Sequence, residues 1–270
     1  MGSFPPPAPF RVETHVEGTE WLDPLLSPHA PFPPTLGFIV PSGFESYARL
    51  LHPARRLLGP SAEQSVLLRW SEIAAARGKT MHPEAGLQAL IDSRDEFDYD
   101  HWKAISTGGG EWFPPYEWLE ETEALALVSL LRACTATLDD AWFMLWDGYG
   151  DLGSSIEGVP RGTIHRVPEP PDVPAELVGR TWAYRHYLVF RGPLDAMSTW
   201  FAWRTEGPNY LWPDDRAWII ATEIDGFSTY VGAPTKCIEH IIGSPLLEAF
   251  SSELTHRFDG LGDPVNGPPN

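Results

Sequence analysis

Basic residues are scarce in this sequence. Nineteen lysines and arginines stand against 37 aspartates and glutamates, a net charge of −18. Such a surface repels phosphate, which argues against nucleic acid or anionic membrane as the main partner. Long apolar runs are missing too: no stretch of about 18 apolar residues occurs, so no membrane-spanning helix is expected. The opening MGSFPPPAPF has neither the basic start nor the apolar stretch of a secretory signal. There are only two cysteines, Cys134 and Cys237. Each falls in an apolar helical pattern, which predicts buried free thiols and a reducing, cytoplasmic setting. The common catalytic signatures are also missing. No GxSxG, HExxH, CxxC or calcium-binding loop occurs, and the glycine run at 108–110 is followed by Glu111-Trp112 rather than the Lys-Ser/Thr of a phosphate loop. The nine histidines are scattered, with none at i, i+4 spacing for zinc. No cofactor is predicted.

What is abundant is turn chemistry and tryptophan. The 270 residues include 28 prolines, 24 glycines and 12 tryptophans, with 43% hydrophobic content, enough for a substantial core. The clearest folding code is Asn209 to Gly232, NYLWPDDRAWIIATEIDGFSTYVG. Asp225-Gly226 is the pair a two-residue type I′ turn prefers, because both positions then need φ > 0. Folding back on it sets Ile224 opposite Phe227, Thr222 opposite Thr229, Ala221 opposite Tyr230 and Ile220 opposite Val231. Apolar then meets apolar on one face, as a correct register requires. The first strand is apolar on both faces until Glu223, so it reads as a central strand covered on both sides.

PDDRAW, ATEID and STYVG, together with YARLLHPA (47–54), LWDGYG (145–150) and YLVFRGPL (187–194), resemble segments of a group of uncharacterised bacterial proteins. The resemblance spans roughly residues 38 to 250. It implies a single unit of folding and carries over no functional residue.

Residues 1–35 read as a Pro-rich arm pinned by Trp21, Leu22, Leu25 and Leu26, and 258–270 as a fraying tail. Between them, 36–257 reads as one domain. Ser42 and Glu45 form a capping box ahead of Phe44, Tyr47, Ala48 and Leu51, which predicts a helix over that stretch. Ser61 and Gln64 repeat the pattern, and Gly78 suits the end of the helix that follows. A further helix is expected over 122–134, and strands over 141–146 and 184–190. Residues 151–180 are Pro- and Gly-rich and read as a long surface loop. Short helices are expected from Pro193, Pro234 and Pro245. The sum is an α+β fold: a mostly antiparallel sheet of about four or five strands around the hairpin near 217–231, packed by about six to eight helices.

Three sets of candidate site residues emerge. Asp214, Asp215 and Arg216 enter the central strand beside Trp212, and Glu223 and Asp225 leave it. Asp147 sits at another strand end between Trp146 and Tyr149, which puts an acid, aromatics and a flexible turn together. Carboxylates at strand ends suit a hard divalent cation, with Asp147, Glu223 and Asp225 as its ligands. Asp215 and Asp225 lie roughly 30 Å apart along a straight strand and cannot share one ion. Simple turn chemistry also accounts for Asp215 and Asp225. The leading expectation is an acidic protein that binds a basic protein partner without catalysis, in a regulatory or toxin-neutralising role. The alternatives are a metal-assisted hydrolase built on those carboxylates and a small-molecule sensor whose 151–180 loop closes on an aromatic pocket.

Overall fold

The hairpin forms in the register that its side chains predict, although its turn differs. In the computed structural model, Ile220 pairs with Val231, Ala221 with Tyr230 and Thr222 with Thr229. The turn bond runs from the Gly226 N–H to the Glu223 carbonyl, 3.2 Å. Ile224 and Asp225 therefore occupy its centre, and neither Asp225 nor Gly226 has a positive φ. The expected type I′ turn is replaced by a wider loop from Glu223 to Phe227. The cross-strand pairs fix the register without the tight turn.

The structure describes residues 6–13, 16–26, 35–59, 64–106, 111–146, 148–149, 164–166, 186–257 and 262–269. The expected loop at 151–180 therefore falls almost wholly outside the described residues. The early strands are β1 (Arg11–Val12), β2 (Ser46–Leu51), β3 (Ala54–Leu57), β4 (Ser65–Leu68), β5 (Glu111–Phe113) and β6 (Ala141–Trp146). The later strands are β7 (Ile164–Arg166), β8 (His186–Gly192), β9 (Tyr210–Pro213), β10 (Ile219–Thr222), β11 (Ser228–Ala233) and β12 (Ala249–Ser252). The α-helices are α1 (Trp70–Arg77), α2 (Leu87–Ile91), α3 (Tyr99–Ile105), α4 (Glu121–Leu131), α5 (Met197–Trp203) and α6 (Thr235–Ile242).

The expected four or five strands are too few. Eight strands run in the order β1-β8-β6-β9-β10-β11-β2-β12, and β7 joins β8 on the side away from β6. A second sheet holds β4-β3-β5. Every pairing among the described residues is antiparallel. The fold is α+β, but with a much larger sheet. The miscount has a physical cause. Ser46–Leu51, expected to be helical, is β2, which pairs with β11 on one side and β12 on the other. Both of its faces are covered, so apolar residues fall at every phase and helical spacing does not discriminate. Likewise β4 and β12 stand where helices were expected near Ser61 and Pro245. Gly78 does end α1, at φ 66°, with its N–H bonded to the Ala74 and Ala75 carbonyls.

Side-chain alternation divides the large sheet between two cores. Along β6, Phe143 and Leu145 face α4, α5 and α6, packing with Leu127, Leu131, Trp200 and Ile241. Trp142 and Met144 face the opposite way, against Leu22, Leu36, Ile39 and Val40. A third core joins the small sheet to α1, α2 and α3 through Trp70, Ile73, Leu90 and Trp102.

The two cysteines are not free thiols. Cys134 and Cys237 form a disulfide with a Cα–Cα separation of 6.5 Å, tying the 3-10 turn after α4 to α6. The inference of a reducing compartment from unpaired thiols therefore loses its basis. Among the described residues, no helix is long and apolar enough to cross a membrane.

Candidate functional site

The residues singled out from sequence fall in separate places. Trp212 lies in β9 with no solvent exposure and stacks on Trp142, rings 5.9 Å apart and 4° from parallel. Trp21 meets Trp212 edge-on at 5.8 Å. Cations close both ends of this column: Arg191 lies 4.2 Å over Trp142, and Arg216, at φ 55°, lies 5.2 Å over Trp21. Asp214 accepts from the Trp142 indole N–H at 2.9 Å and from Arg191 at 2.8 Å. Asp215 accepts from the amides of Ala136 and Ala217 and from the Thr135 hydroxyl. Burial opposes its charge, but these hydrogen bonds outweigh burial and hold its carboxyl below the ordinary range. The charged groups of this cluster all have structural partners, whereas the buried indole N–H groups of Trp21 and Trp212 have no hydrogen-bond acceptor among the described residues.

Trp146 and Tyr149 lie at the opposite end of β6, ring edge to ring face at 5.3 Å. Burial pushes the Tyr149 phenol up to about 12. Asp147 lies outside the described residues. Glu223 is 4% exposed, while Asp225 is exposed two residues on. Among the described residues, no three His, Cys, Asp or Glu side chains gather as metal ligands.

One surface feature stands apart from these candidates. It is built from three distant segments. Thr235 opens α6 after Pro234, and its N–H is taken by the Glu45 carboxylate at 3.0 Å. A carboxylate there also complements the helix dipole. The Thr235 hydroxyl meets Ser46 Oγ at 2.8 Å, so the start of β2 is pinned to the start of α6. Along α6, Cys237, Ile238 and Ile241 are buried in the core, while Thr235, Glu239 and Ile242, at i, i+4 and i+7, are exposed on one face. That face and the end of β12 bound an open groove of about 490 Å³. Ile242, 38% exposed, and the half-buried Leu254 supply its apolar surface, with the buried Ile238 beneath them. Glu45, Glu239 and Glu253, all exposed, stand around it. No lysine or arginine is among the described residues that line it.

The groove can receive a side chain with an apolar stem and a cationic head, since the floor takes the stem and the rim takes the charge. The sequence reading missed it because its three segments are unremarkable alone. The one available signal was the α6 stripe, in which Ile242 extends the apolar face past what the core needs. The chain matches no protein-family model, no curated protein and no solved structure.

Proposed function

We propose that the protein is a binding module that holds a basic segment of a partner protein in the groove between α6 and β12. One observation carries this reading: three exposed carboxylates surround an apolar floor, and among the described residues no lining cation offsets them. The chain charge of −18 supports it, because a field of one sign attracts an oppositely charged partner and speeds encounter. The apolar floor supplies what charge alone lacks, namely area removed from water.

The test uses a capped ten-residue peptide of alternating lysine and valine, titrated calorimetrically into the full chain. Affinity should fall on the order of tenfold or more when Glu45, Glu239 and Glu253 are together replaced by glutamine, and should weaken as salt rises. Equal affinity for the triple variant and the native protein would remove the groove from consideration.

A further inference from the structure

Accepting the groove as the receptor for a basic segment, we infer that the segment binds as an added β-strand along β12. The argument starts from hydrogen-bond parity. Leu51 donates its N–H to the Glu248 carbonyl at 2.9 Å. In the same antiparallel register, Arg49 and Tyr47 face Phe250 and Ser252. Hydrogen-bonded pairs recur every second residue, so odd-numbered residues of β2 bond to β12. The other side of β2 agrees: His52 donates to the Phe227 carbonyl at 3.0 Å, so even-numbered residues bond to β11. Ala249 and Ser251 therefore turn their main-chain N–H and C=O away from β2.

β12 is the last strand in the sheet order, and among the described residues no strand pairs with its outer side. Ser251 is exposed. A row of outward donors and acceptors at a sheet edge is a template for another strand. Here it borders the exposed face of α6, and the same groove is lined by Ser251 and by Glu239 and Ile242.

Alternation then specifies the occupant. Ala249 packs into the core beneath α6, whereas Phe250 packs into the core of the small sheet. A strand laid beside β12 would likewise send alternate residues to these two sides. On the α6 side, lysine or arginine stems cover Ile242 and Leu254, and their heads reach Glu45, Glu239 and Glu253. On the other side, an aliphatic residue meets Phe250. The occupant is an extended segment in which basic and aliphatic residues alternate. A second copy of this chain is disfavoured, because two such edges would bring both sets of carboxylates together in a protein already at −18.

The deciding variant is Ser251→Pro. Proline removes the outward N–H, and an edge strand tolerates it there because the β2 ladder does not use that donor. With the capped lysine–valine peptide, Ser251→Pro should bind on the order of tenfold more weakly, and bound peptide should slow amide exchange at Ala249 and Ser251 in the native protein. If Ser251→Pro fails to fold, the same peptide N-methylated at alternate residues, made in both registers, tests the native protein. One register should then lose binding and the other keep it. Native affinity for Ser251→Pro, or for both methylated peptides, combined with a loss in the triple glutamine variant, would overturn strand addition while leaving the acidic groove standing. Native affinity for the triple variant would overturn both. Dimerisation through β12, seen by sedimentation and abolished by Ser251→Pro, would also overturn the inference.

Discussion

The Nδ1 atom of His52 lies 2.9 Å from the carbonyl oxygen of Tyr116. A carbonyl only accepts, so Nδ1 carries the proton, and Nε2 of the neutral ring must accept. The partner of Nε2 is the Thr229 hydroxyl at 2.9 Å, which therefore donates to it. Thr222 lies 2.7 Å from Thr229, whose own proton is already committed, so Thr222 donates in turn. One contact thus orders protons along a buried chain from β10 through β11 to the residue after β2.

This order makes stability depend on pH. Burial foremost, opposed by the Tyr116 bond and aided by the charge of Arg49, pushes the His52 pKa from 6.5 down to about 4. The unfolded chain binds the proton first as pH falls. Stability is therefore full above about pH 6.5 and is lost progressively down to about pH 4, by roughly 3 kcal/mol for this group. Burial raises the carboxyls of Glu120 and Glu123, which act in the opposite direction. The measurement is thus a difference: urea unfolding from pH 7 to pH 5, native against His52→Gln. Parallel pH dependences would show that His52 does not carry the effect.

The disulfide closes a loop of 103 positions. Cross-links over loops of that size add about 4–5 kcal/mol on the chain-entropy account, and natural ones commonly about 2–5. Unreduced protein in denaturant should show no titratable thiol, and reduction should lower the urea midpoint. Two thiols appearing before reduction would contradict the pairing.

Gly18 is held small by tryptophan. A β-carbon there would stand 2.0 Å from the Trp142 ring, which is fixed between Trp212 and Arg191. Gly18→Ala should therefore cost about 1–3 kcal/mol and alter the near-ultraviolet circular dichroism. Gly232→Ala provides the contrast. Its β-carbon would meet Phe44, a partly exposed ring with room to turn, so the loss should be smaller. Equal losses would mean the tryptophan column yields more than its packing implies.

Asp215 accepts from two amides and a hydroxyl, tying the turn at 135–137 to the entry of β10. Asp215→Ala should cost about 1–3 kcal/mol, whereas Asp225→Ala, on an exposed loop, should cost about 0.5 or less. Thermal unfolding of the two variants separates them, and a reversed order would refute the assignment of Asp215 to turn architecture.

How much of this was legible beforehand depends on how each residue is surrounded. The β10–β11 register was readable because cross-strand pairs carry it locally. The exact bounds of β6, Ala141 to Trp146, were readable because Asp139-Asp140 and Asp147-Gly148 bracket an apolar run. β2 was not, since two neighbouring strands and two covered faces erase its period. The S-x-x-E pattern at Ser42 mimicked a helix start; Glu45 does cap a helix, but α6, nearly 200 positions later. Asp215 accepts from the amides of Ala136 and Ala217, local bonds of the kind an aspartate at a turn makes. The groove was illegible because Glu45, Glu239 and Glu253 meet only once the sheet has formed.

The place of β2 in the sheet also sets a schedule. Arg49 bonds to Ser228 across 179 positions. At about 5–20 residues per second, the ribosome makes β2 roughly 10–40 s before either neighbour exists. Through that interval an apolar segment with two unpaired edges waits, exposed to any strand that passes. The protein's vulnerable period is its own synthesis, and the edge proposed to receive a partner's strand is the last part of the sheet to be made.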